Sequence, residues 1–219
     1  MLAAGAAAGY FLVKGGKGGH EQATGDGHGV SNETPDFAFE VLKSNVIPTA
    51  DGAHVSREQG RETAASVAAT LDDFYKSAFL DPANWREGTY DSTWAFFDKQ
   101  ALTDAKADAD TLTLGAGGAD YASVMPKPST TTVKILVDEK GKARTAAAQV
   151  TFGALVTDGS GSLTTVASMG QYFLNPDGNG WTIYAFRVQR SDQEGDHDVG
   201  SPPPSPKKPR ETPTSEATP

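Results

Sequence analysis

Cysteine is absent from this chain of 219 residues. That excludes disulfides, thiolate metal sites, cysteine nucleophiles and the acylated cysteine of a lipoprotein. Histidine is nearly as scarce. The four present, His20, His28, His54 and His197, all fall outside residues 56–192. The middle of the chain therefore has neither a Ser/His/Asp or Cys/His catalytic set nor an ordinary zinc site. A basic stripe is also missing. The net charge is −9, with acid spread along the whole chain, so a polyphosphate partner would be repelled and no nucleic-acid partner is expected. Nothing in the sequence calls for a cofactor. Hydrophobic residues make up 37 % of the chain, below the roughly 45–50 % usual for a globular protein. The shortfall sits in two flanks, leaving the middle able to bury a core.

A long apolar run is missing too. Met1–Val13 carries no charge, but as a helix at about 1.5 Å per residue it reaches only about 20 Å, against a hydrocarbon core of about 30 Å. It has no basic stretch before it and no small-x-small cleavage site after Leu12, as a secretory signal requires. The expectation is a truncated single-pass anchor over 1–13, which places the folded part on the extracytoplasmic side of the cell membrane. Gly5 and Gly9 have the GxxxG spacing that brings membrane helices together, so a homodimer is one expected assembly.

Residues 14–36 are Gly-rich and polar and read as a flexible linker. His20 and His28 lie in it as solvated linker residues. In 37–55, Phe37, Phe39 and Val41 alternate with Ala38, Glu40 and Leu42, the pattern of a candidate strand followed by a connection. Ser56 opens the clearest helix. "SREQ" is a capping box, and Val67, Ala68, Leu71, Phe74, Tyr75 and Phe79 form one apolar face. "LDPANW" ends that helix, because Pro82 disfavours a helical Asp81. A short helix is expected at 91–98, with Asp91 as its N-cap, and a third at 101–109; Met125–Pro128 reads as irregular.

From Thr130 the apolar period becomes two. Strands are expected at 130–138, 143–157, 163–174 and 181–190, joined by "DEKGKA", "TDGSGS" and "NPDGNG", which are short and Gly-containing as hairpins require. The fold class is α+β: amino-terminal helices packed on a curved antiparallel sheet, with disordered flanks. After Asp192 proline is dense and apolar residues are nearly absent, so 193–219 reads as a disordered tail.

The stretches "ASVAATLDDFYKSAF", "SMGQYFLNPDGNGWTIYAFRV" and Gly-Trp-x-Ile at 180–183 give residues 56–192 a resemblance to the ketosteroid-isomerase and nuclear-transport-factor-2-like superfamily, and more closely to membrane-anchored members from Gram-positive bacteria. The resemblance implies a cone-shaped domain in which helices close over a bent sheet. None of the matching residues is a catalytic motif.

Only carboxylate and tyrosine chemistry is left for an enzyme. Asp72, Asp73, Asp91 and Asp120 are the acids, and Tyr75, Tyr90, Tyr121, Tyr172 and Tyr184 the phenols; no Asp–Tyr pair falls at a defensible spacing. The aromatic set Phe74, Trp94, Phe97, Phe152 and Tyr184 either lines the mouth of a cone or fills it. Arg187 and Arg190 either receive an anion or lie solvated at a strand end. The leading expectation is a non-enzymatic domain, tethered to the membrane through its amino-terminal helix, that binds an envelope protein or a small apolar ligand. The alternatives are an Asp/Tyr isomerase- or dehydratase-like enzyme and a structural accessory subunit without a pocket.

Overall fold

The structure, a computed structural model, describes residues 33–49, 55–178 and 180–199. The expected anchor over 1–13, nearly all of the linker and most of the tail lie outside the described residues. No helix among the described residues is long and apolar enough to cross a membrane.

The fold is α+β, with a mixed, curved sheet of six strands and a few helices. The strands are β1 (Glu40–Pro48), β2 (Tyr121–Pro126), β3 (Thr130–Val137), β4 (Ala143–Asp158), β5 (Leu163–Asp177) and β6 (Gly180–Glu194). Strand order is β1-β3-β4-β5-β6, and β2 pairs with β4 beyond the end of β3. Strands β3 to β6 form the expected antiparallel meander. The expectation of a wholly antiparallel sheet is corrected by β1, which runs parallel to β3 from Glu40–Thr130 to Pro48–Val137. A parallel neighbour requires a crossover connection, and here all the helices among the described residues, and β2, lie between the two strands. The residues read as irregular at 125–126 belong to β2, where Val124 pairs with Val156.

The capping box forms as read. Gln59 N–H donates to Ser56 Oγ at 3.1 Å and Ser56 N–H donates to Gln59 Oε1 at 3.2 Å. It starts α1 (Arg57–Tyr75), whose buried face carries Ala64, Val67, Ala68, Leu71, Phe74 and Tyr75. A widened turn, Lys76–Leu80, continues the helix and buries Ala78, Phe79 and Leu80 consecutively. Asp81 is extended, as a residue before proline should be. The same Pro82 then begins α2 (Pro82–Glu87), with the Asp81 carboxylate accepting from Ala83 N–H at 3.0 Å. Proline at a first helical position lacks an N–H that would have had no partner there. Only Thr93–Phe96, a single 3-10 turn, stands where a helix over 91–98 was expected, and no side chain caps it, so Asp91 is not an N-cap. Asp98 instead accepts from Gln100 and Ala101 N–H, opening α3 (Ala101–Ala107); α4 (Ala109–Leu112) follows.

The core lies between α1 and the inner sheet face, where Val133, Ile135, Ala148, Val150, Phe152, Tyr172, Leu174 and Ile183 are buried. Order runs past the expected tail boundary at 193. β6 continues to Glu194, and Gly195 N–H donates to the Leu163 carbonyl at 2.8 Å. His197 N–H donates to Thr165 Oγ1 at 2.9 Å, and Lys127 pairs with Asp196. Val199 then occupies the space that a side chain at Gly153 would need. A polar composition does not exclude such a strap, because most of its contacts are main-chain and charged groups, with Val199 its apolar exception.

Candidate functional site

Three of the five candidate aromatics meet inside the domain. Phe74 and Phe152 are fully buried and Phe97 nearly so. Phe74 meets Phe97 edge-on at 5.5 Å, and Phe152 lies 4.7 Å from Tyr75 and 4.9 Å from Phe79. Two rings from the segment before β1 complete the cluster: Phe37 against Phe152 at 5.5 Å, and Phe39 against Tyr75 at 5.1 Å. Trp94 sits at the margin, half-buried and tilted against Phe97 at 6.3 Å. Tyr184 stands apart. It is the extra residue of a bulge in β6, between the pairs Leu174–Ile183 and Phe173–Ala185. Its ring neighbour is Phe173 at 6.3 Å, on the sheet face opposite Tyr172 and Leu174. The candidates thus do not converge on one opening; those that meet pack ring to ring.

At the centre of the cluster are three buried hydroxyls. Tyr75 Oη lies 3.0 Å from Ser168 Oγ and 3.2 Å from Tyr172 Oη. Burial pushes the Tyr75 phenol up to about 12, partly offset by its bonds to Ser168 and Tyr172. Burial likewise holds the Tyr172 phenol well above its ordinary 10.0. Periodicity placed Tyr75 on an inward helix face, but its meeting with Tyr172 is a tertiary fact that one strand or one helix does not display. A phenol that serves as acid or oxyanion donor must touch its substrate. Tyr75 touches Ser168 and Tyr172, and Tyr172 touches Tyr75.

The acids are placed just as specifically. Asp72 is half-buried and accepts Phe39 N–H at 2.7 Å; desolvation raises its carboxyl above the ordinary 3.8. It holds the segment that inserts Phe37 and Phe39. Asp73, Asp91 and Asp120 are exposed. Tyr90 donates to the Gly115 carbonyl at 3.0 Å, a bond that anchors the loop after α4. Arg190 is a clamp. Its guanidinium binds both Asp192 carboxylate oxygens, at 2.9 and 2.6 Å, and the carbonyls of Thr113 and Asp110, at 2.6 and 3.0 Å. Those bonds tie α4 to β6. Arg187 is exposed.

Openings lie on the surface instead. A groove of about 460 Å³ separates α3 from the Tyr184–Phe186 stretch of β6. A shallower one of about 660 Å³ lies beside the Arg190 clamp, with Asp110, Leu114 and Tyr121 in its walls. On β1, Leu42 is 61 % exposed, and Val41 and Ile47 are also open to solvent. Neither the grooves nor this exposure was visible in periodicity, which marks apolar faces but not which of them stay uncovered. Comparison with protein-family models, with curated proteins and with solved structures gave no match.

Proposed function

We propose that this is a non-enzymatic partner-binding domain of the cell envelope, tethered outside the membrane by its amino-terminal segment. The observation that carries this reading is the interior: Phe37, Phe39, Phe74, Tyr75, Phe79, Phe152 and Tyr172 pack ring to ring, and the buried phenols are bonded to one another. A small-ligand site is usually a concave pocket of about 300–1,000 Å³ with convergent polar groups. Here the polar groups converge where rings already fill the space. On this reading the fold is the cone of the nuclear-transport-factor-2-like superfamily with its mouth stoppered by Phe37 and Phe39, and recognition takes place on the outside.

The test has two arms. In the first, the parent protein is titrated with an environment-sensitive apolar dye, and no saturable binding is expected. In the second, a photo-crosslinking amino acid is placed at Leu42 on β1 and, separately, at Ala107 on α3 in the full chain in its own cells. A discrete protein adduct is expected from at least one position. Saturable dye binding with no adduct at either position would replace this reading with a small-ligand one.

A further inference from the structure

The outer edge of β6 carries no partner strand among the described residues, although Arg190 ties its far half to α4. β6 runs 15 residues and ends the strand order, with β5 on one side. Near its start its other edge receives one strand-like contact. Phe97 forms a parallel bridge with Ile183, and Asp98 N–H donates to the Ile183 carbonyl at 2.9 Å. The chain then turns away into α3, because the Asp98 carboxylate caps that helix. Strand addition thus begins and stops at one residue. Past it, α3 runs beside β6 and leaves the groove of about 460 Å³, lined by Gln100, Ala101, Asp104 and Asp108 from the helix side and by Tyr184 and Phe186 from the strand. An edge strand facing a helix across a slot offers main-chain hydrogen bonds along one wall and side-chain discrimination along the other. No proline interrupts β6; its bulge at Tyr184 breaks the register at the start of the groove, so pairing is offered from Ala185 onward.

We propose that this groove takes an extended basic segment of the partner protein, added as a strand to β6 with Lys or Arg side chains beside Asp104 and Asp108. The proposal rests on the partner-binding reading above and names its surface. Charge selects the occupant. Asp104 and Asp108 lie one helical turn apart and both line the groove, whereas Lys99, Lys106 and Arg187 do not. A second copy of a chain with net charge −9 would bring more acid to an acidic wall. The chain's own Pro-rich segment after Gly200 is poor in the N–H groups that a strand must donate.

The full chain is panned against random displayed peptides, and a selected peptide is labelled and titrated. Basic, proline-poor sequences are expected. The double variant Asp104→Asn/Asp108→Asn, checked for an unchanged circular dichroism spectrum, should bind the peptide about five-fold more weakly, the sum of two solvent-exposed ion pairs. Added salt should weaken the parent and leave the variant nearly unaffected. N-methylation of alternate peptide nitrogens should abolish binding in one phase of the alternation and spare it in the other. Acidic or proline-rich selections, unchanged affinity in the double variant, or indifference to N-methylation would overturn the groove. The crosslinking result separates the two claims. Adducts at Leu42 but not at Ala107 keep the partner-binding reading and reject the groove, while adducts at neither reject both.

Discussion

Replacing Tyr75 by phenylalanine tests the interior directly. The ring and its contacts with Phe39, Phe79 and Phe152 survive, and only the middle oxygen of the hydroxyl trio is lost. Ser168 Oγ and Tyr172 Oη, at 3.0 and 3.2 Å from it, are then both stranded in a dry site. A buried hydroxyl without a partner costs about 1–3 kcal/mol, so Tyr75→Phe should destabilise by about 2–4 kcal/mol. Tyr172→Phe removes an end of the trio, leaves Tyr75 bonded to Ser168, and should cost only about 1 kcal/mol. The triple variant Tyr75→Phe/Tyr172→Phe/Ser168→Ala strands nothing and should be more stable than Tyr75→Phe alone. Urea unfolding followed by tryptophan fluorescence gives all three values. Equal losses for the two single variants, or a triple variant as unstable as the sum of its parts, would refute this account. The same burial has an alkaline signature. With the Tyr75 phenol pushed up to about 12 from 10.0, the folded state holds its proton more tightly than the unfolded state does. Its contribution is complete below pH 10 and is lost as pH rises toward 12. The fall in stability over that range should be shallower in Tyr75→Phe.

Three further outcomes follow from single contacts. Trp85 on α2, 2 % exposed, is the deeply buried tryptophan. Trp85→Ala should cost about 3–5 kcal/mol in guanidinium unfolding, and Trp181→Ala, whose ring is only partly buried, about half as much. Gly170→Ala places its new carbon 2.1 Å from the Arg187 carbonyl oxygen, a backbone atom, so it should destabilise by about 3 kcal/mol or more and express as poorly soluble protein. In the hairpin turns, the Lys142 N–H holds the Asp138 carboxyl below its ordinary 3.8, and the Ser160 hydroxyl and Ser162 N–H do the same for Asp158. Carboxyl titration by NMR should place both below 3.8, and the stability they add should be lost as pH falls through those lowered values.

Local patterns carried far in this chain, and they stopped at pairing. Ser56 and Gln59 fixed the start of α1, and the alternation in Ala146–Val156 fixed β4, because capping and pleating are properties of a few consecutive residues. Alternation at Phe37–Val41 marked Phe37 and Phe39, which are buried, and Val41, which is not, and it carries no sign of direction, so the parallel pairing of β1 with β3 was not legible. β2 was hidden because only Val124 among its six residues is buried. Pro82 was read as a stop and is also a start. For the site, Phe74, Phe97 and Phe152 were recognised as inward-facing, but a ring that lines a cavity and a ring that fills one have the same periodicity. Tyr184 was misplaced by a different cause: the bulge adds one residue to β6, and one residue exchanges the faces of a strand.

The parallel seam between β1 and β3 also bears on the order of assembly. Strands β3 to β6 are consecutive hairpins with short loops, so they can zip together from local contacts. β1 can pack on α1 early, but it gains its hydrogen-bonding partner only after α1, α2, α3, α4 and β2 have been laid down and β3 exists, because its pairs run from Glu40–Thr130 to Pro48–Val137. Contacts between residues so distant along the chain close large loops and form late. The insertion of Phe37 against Phe152 on β4 belongs to the same event, with Glu40 N–H on the Ser129 carbonyl, whereas Phe39 can already meet Asp72 and Tyr75 on α1. A nascent chain therefore has only α1 to hold its amino-terminal segment until β3 has been synthesised. In the mature protein the same seam is the natural place for the domain to open first, with amides of β1 exchanging ahead of those in β4 and β5.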